Sequence, residues 1–142
     1  MRKKISSVLI VLFLVAFGVS AQKDYSKLIG TWQLVSAKQN GVAQPDNGIV
    51  KLKFINNGFF TWVSYNKSNK IIRRSLGGKY TFNGKTYTET VDFVGLGEEN
   101  KFLNQKHSFA VVIKTNKMYI SGKLSNGVKY DEVWQKIDVN PK

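Results

Sequence analysis

The stretch Leu28–Ser36, LIGTWQLVS, decides the fold. Side chains alternate along an extended chain, so Gly30, Trp32, Leu34 and Ser36 share one side while Thr31, Gln33, Val35 and Ala37 share the other. A tryptophan two residues after a glycine suits the plugged end of a small closed barrel, because the bare glycine lets another backbone pass close by. The stretch reads as the first strand of such a barrel, provided that enough partners follow it.

Partners are legible along the whole chain. After a loop from Asn40 to Gly48 that contains Pro45, the second strand, Ile49–Ile55, sets Val50, Leu52 and Phe54 opposite Lys51 and Lys53. The third, Phe59–Tyr65, is apolar on both sides and has no legible orientation. The fourth, Ile71–Phe82, runs into Asn83-Gly84, the pair that best tolerates the positive φ angles of a two-residue hairpin. That turn pairs Phe82 with Lys85, Tyr80 with Tyr87, Gly78 with Glu89, Leu76 with Val91 and Arg74 with Phe93. One face of the hairpin is then aromatic and aliphatic, while Lys79, Thr81, Thr86, Thr88, Thr90 and Asp92 face water.

The connection Gly95–His107 shows no strand alternation and suits a helical turn or a lid over a barrel mouth. A sixth strand, Ser108–Thr115, and a seventh, Met118–Leu124, are joined at Asn116 and Lys117, which pairs Ile113 with Ile120, Val111 with Gly122 and Phe109 with Leu124. The eighth, Lys129–Ile137, has two readings. A two-residue Asn126-Gly127 turn points Asp131 and Val133 inward; a three-residue Ser125-Asn126-Gly127 loop points Tyr130, Glu132 and Trp134 inward, and is preferred because it buries a tryptophan.

Gly30 and Trp32 resemble the glycine-x-tryptophan opening strand of lipocalin-like (calycin) proteins, and the chain as a whole is similar to the short secreted lipocalin-like domains of bacteria, whose function is uncharacterised. The resemblance covers about residues 25–138 as an architecture and only Gly30 and Trp32 as a motif. It implies an all-β, eight-stranded, up-and-down antiparallel barrel that carries or sequesters a small molecule without catalysis. The loop after the first strand is too short for the helical pair that intracellular fatty-acid-binding proteins insert there. Too few residues follow Ile137 for the C-terminal helix of full-length lipocalins, and their second and third motifs are not recognisable. Lys136 is the candidate for the place of the arginine that, in that family, packs over the first-strand tryptophan.

Arg2, Lys3 and Lys4, an apolar run from Val8 to Phe17, and the small residues Val19, Ser20 and Ala21 form the pattern of a cleaved secretory signal. A cut before Gln22 leaves one domain, residues 22–142, exported to the periplasm or beyond, with no transmembrane span. The chain has no cysteine, which excludes a disulfide, a thiolate nucleophile and a lipid anchor on the new N-terminus. The formal charge of +13, less the three basic residues of the leader, leaves +10. Export argues against nucleic acid as the partner. The charge then fits either an anionic envelope surface or a solvated exterior, and the scatter of the lysines favours the latter.

Glu89 lies on the apolar hairpin face, where an ionised carboxylate needs a partner. Arg74, the hydroxyls of Tyr80 and Tyr87, or a ligand are the candidates; the carboxylate belongs either to an internal polar network or to a binding site. Trp62, Tyr80, Tyr87, Phe93, Phe109, Tyr130 and Trp134 are either core or the lining of an apolar cavity with polar handles. Glu89 and Glu132 together raise the alternative of a calycin-type enzyme using paired carboxylates, although no nucleophile and base constellation accompanies them. His107, the one histidine, stands at a loop end and reads as a surface or capping residue. No metal-ligand spacing or phosphate loop is present, and no cofactor is implied. The expected function is to hold a small, hydrophobic or amphipathic ligand inside the barrel. A scaffold with a basic exterior for anionic envelope components is the alternative.

Overall fold

The computed structural model describes residues 25–96 and 101–137. The expected signal segment with its cut, part of the Gly95–His107 connection and residues 138–142 lie outside the described residues. A turn of 3-10 helix, Tyr25–Lys27, precedes β1 (Gly30–Gln39), β2 (Val42–Ala43), β3 (Ile49–Ile55), β4 (Phe59–Asn66), β5 (Ile72–Phe82), β6 (Thr86–Val94), β7 (Lys106–Lys114), β8 (Lys117–Lys123) and β9 (Lys129–Ile137). β2 is a stub that pairs only with the end of β1. The eight long strands pair antiparallel in chain order, and β9 returns to pair with β1, from Thr31 opposite Ile137 to Gln39 opposite Tyr130. This is the expected closed, up-and-down, eight-stranded barrel.

One end of the barrel is filled. Trp32 and Leu28 are wholly buried, and the Trp32 indole donates to the Leu28 carbonyl at 2.8 Å, which satisfies its one polar atom. Ile55, Phe60, Tyr80, Phe82, Tyr87, Val111 and Met118 pack around them, and Tyr25 closes from below against Tyr80 and Phe82. The Lys136 ammonium sits 5.3 Å from the Trp32 ring centroid, the place expected for a basic residue over the first-strand tryptophan. Gly30 makes room for it: at φ 143° it adopts a backbone that side-chain-bearing residues avoid, and a Cβ there would stand 2.6 Å from the Lys136 Cε.

Several registers differ from the sequence reading. In the β5–β6 hairpin Phe82 pairs with Tyr87 and Tyr80 with Glu89, not Phe82 with Lys85. Asn83 leaves the turn centre because its side chain caps it, accepting from the amides of Lys85 at 3.1 Å and Thr86 at 2.8 Å. A two-residue displacement keeps every side chain on its face, so Tyr80, Tyr87 and Glu89 still point inward. A bulge between Gly77 and Gly78 then reverses the alternation, and Phe93, expected inside, lies half-exposed outside with its ring over Gly77. In β7–β8 the turn is Thr115-Asn116, so Val111 pairs with Ile120 and Phe109 with Gly122, again with faces conserved. The β8–β9 loop is the preferred three-residue one, with Leu124 bonded to Val128 and Gly127 at φ 84°. In β1 a bulge between Leu34 and Ser36 turns Ser36 out and brings Ala37 and Gln39 inward.

Candidate ligand-binding site

Strand pairing decides which polar groups enter the barrel. Lys53 is the cross-strand partner of Trp32, and directly opposed residues share a face, so the buried tryptophan draws Lys53 inward with it. The lysine is 5% exposed, while Phe54, on the apolar side of that strand, is outside. Across the lumen the Lys53 ammonium donates to Glu89 Oε1 at 2.7 Å, and it stands 5.5 Å from the Tyr87 ring and 5.2 Å from the Trp134 ring. Glu89 is therefore held by Lys53; Arg74, the partner considered from the sequence, is exposed and lies beyond Leu76, where the pairing of β5 with β6 ends.

His107 is the direct partner of Glu89 on β7. It is 7% exposed and stands inside the barrel, contrary to the expectation of a surface residue at a loop end. Neither ring nitrogen has a hydrogen-bond partner. Burial lowers the imidazole pKa below its ordinary value, and the Glu89 charge partly opposes this. Burial likewise raises the Tyr87 phenol well above its usual range, with the Glu89 charge adding to the effect. At the mouth, burial raises the Tyr130 phenol, aided by Glu132, while Tyr130 accepts from Gln39 at 2.9 Å. Trp134 donates to Glu132 at 2.9 Å, so the second carboxylate also has a partner.

Above the filled end lies a cavity of about 610 Å³. Lys53, Glu89, His107, Trp62 and Trp134 line its inner part, because their positions along the strands lie beside the packed end. Val91, Leu76, Phe109 and Ser64 line the wall, with Phe102 and Leu124 beside them. Gln44–Asn47, Arg73, Arg74, Tyr130 and Glu132 surround the mouth. Of the residues singled out from the sequence, Trp62, Arg74, Glu89, Phe109, Tyr130 and Trp134 are brought together there. Tyr80 and Tyr87 pack in the filled end, Gly30 and Trp32 close it, and Phe93 is outside. Among the described residues, no group of three or more metal-ligating side chains is placed to hold an ion.

Lys53 and His107 were not legible as site residues. For His107 a signal existed: carrying the alternation of Phe109, Val111 and Ile113 back by one step places it inward. For Lys53 the signal is the β1–β3 register, which no short turn specifies.

Comparison with known proteins bears on the fold. A lipocalin-like protein from Bacteroides uniformis matches with a TM-score of 0.57 at 14% identity, over 78% of this chain and 99% of that one. An uncharacterized protein from Bacteroides eggerthii matches with a TM-score of 0.51 at 21% identity, over 77% and 98%. A redesigned beta barrel matches with a TM-score of 0.52 at 18% identity, over 82% and 96%. No curated protein matches the sequence. The barrel is thus lipocalin-like, and by the match of its family model to residues 27–142 the chain belongs to the family described as Domain of unknown function (DUF4488).

Proposed function

We propose that this protein is an exported, non-enzymatic carrier that holds one small, partly hydrophobic molecule inside the barrel. The observation that carries this reading is the cavity itself. An eight-stranded barrel is just wide enough to be filled by side chains or to hold one small ligand. Here one end is filled and the other retains about 610 Å³, within the range typical of small-molecule sites. Its lining joins aromatic and aliphatic walls to a few polar groups, the composition that gives affinity through burial and orientation through hydrogen bonds. The pairing of Glu89 with Lys53 and of Glu132 with Trp134 supports binding over acid–base chemistry, since both carboxylates already have structural partners.

Mass spectrometry of organic extracts from natively purified protein should find a co-purifying small molecule, and titration of that molecule should change the fluorescence of Trp62 and Trp134. Empty extracts together with no response to lipid or aromatic panels would overturn the reading. Export is supported by the basic start and apolar run of the leader, and N-terminal sequencing of the mature protein should begin at Gln22.

A further inference from the structure

We infer that the ligand enters polar end first, and that this end is an uncharged hydroxyl, an alcohol or a phenol, received by Glu89, Lys53 and His107. The inference rests on the carrier reading and names the chemistry its ligand should have. Glu89 spends one oxygen on Lys53 and has Oε2 left to accept, with the buried, unpartnered Tyr87 hydroxyl close beside it. His107, more than nine-tenths buried and lining the cavity, has no partner for either ring nitrogen. Such groups cost free energy unless a partner reaches them, and a methyl-ended ligand tail laid on them would supply none. Arg73, Arg74 and Asp46, by contrast, stand exposed at the mouth. The polar end of a ligand therefore gains most at the inner end of the cavity.

Charge narrows the class. Lys53 and Glu89 balance one another across 2.7 Å, and burial favours neutral His107. A ligand carboxylate placed here would meet Glu89, and an ammonium would meet Lys53. A carboxylate oxygen only accepts and an ammonium only donates, while neutral imidazole does both. A hydroxyl, which donates and accepts without charge, complements all three. Trp62, Phe109 and Val91 then face its apolar body.

Calorimetric titration with 4-butylphenol, butylbenzene and 4-butylbenzoate tests this on one apolar frame. The phenol should bind about tenfold or more tightly than either of the others, the worth of a buried bond to a charged acceptor. Equal binding of phenol and butylbenzene, or a preference for the benzoate, would overturn the hydroxyl assignment and leave the carrier reading intact. Binding of none of the three would overturn the hydroxyl assignment, and together with empty organic extracts the carrier reading as well. A Lys53→Met/Glu89→Leu double variant should lose the preference for phenol while retaining butylbenzene. Should that variant fail to fold, His107→Phe should shrink the same preference; an unchanged preference in a folded variant of each kind would also overturn the assignment.

Discussion

At the residue scale, the Lys53–Glu89 pair is a conditional asset. Each charge is buried and each is held by the other, so removing one strands its partner in an apolar surround. Lys53→Met or Glu89→Leu alone should cost about 3–5 kcal/mol in urea unfolding, whereas the double variant should fall near the wild type, because two apolar side chains of similar volume need no mutual compensation. Additive losses would show that the pair is not coupled. His107 adds a pH dependence. Its folded-state pKa lies below the ordinary 6.5, so the unfolded chain takes up this proton more readily. The contribution to stability is complete above pH 6.5 and declines as the pH falls below it. Denaturation midpoints should therefore drop between about pH 7.5 and 5.5 in the wild type and less so in His107→Phe; equal slopes would refute the assignment. The sequence made Glu89 conspicuous because a lone acid interrupts an apolar face. It left its partner hidden because Lys53 alternates with Leu52 and Phe54 as a solvent-facing lysine would.

At the scale of elements, faces were more legible than registers. The β5–β6 and β7–β8 hairpins each differ from the expected pairing by two residues, a displacement that moves the turn but leaves Tyr87, Glu89, Phe109 and Val111 inward. Bulges are another matter, since a single extra residue reverses everything beyond it. The Gly77–Gly78 bulge sends Phe93 outside, and nothing in the alternation of β6 marks it. Gly78 makes it possible: an added Cβ would strike the Thr90 carbonyl and stand 2.7 Å from the Asp92 amide, both of them backbone and unable to give way cheaply. Gly78→Ala should cost roughly 1–3 kcal/mol by overpacking. Gly127→Ala should cost about 1 kcal/mol, because the φ of 84° in the β8–β9 loop is a left-handed conformation into which a Cβ brings strain without any clash. Thermal or urea unfolding of the two variants separates the mechanisms, for Gly127→Asn should recover much of the loss and Gly78→Asn should recover none.

At the scale of the whole molecule, closure was legible from Gly30 and Trp32 because a plug has no use in an open sheet, and the β1–β9 ladder completes it. Trp32 stands between β3 and β9, with Lys53 opposite it on one side and Lys136 on the other. Lys136, which lies over its ring, and Trp134, which faces Lys53, both belong to that last strand. Ending the chain at Val128 would remove both and expose two sheet edges, β1 and β8, each with a row of unpaired backbone groups. An eight-stranded barrel distributes its core over every strand, so a seven-stranded remnant cannot close around the same interior. The truncated chain should accordingly lack the cooperative unfolding transition of the whole, show the Trp32 fluorescence of an exposed indole, and elute as aggregates from size-exclusion chromatography. Adding the peptide Lys129–Ile137 in excess should restore a monomeric, cooperatively folded complex by reforming the pairing from Thr31 to Gln39. A truncated chain that remains monomeric with Trp32 still shielded would show that the plugged end is held by the other strands alone.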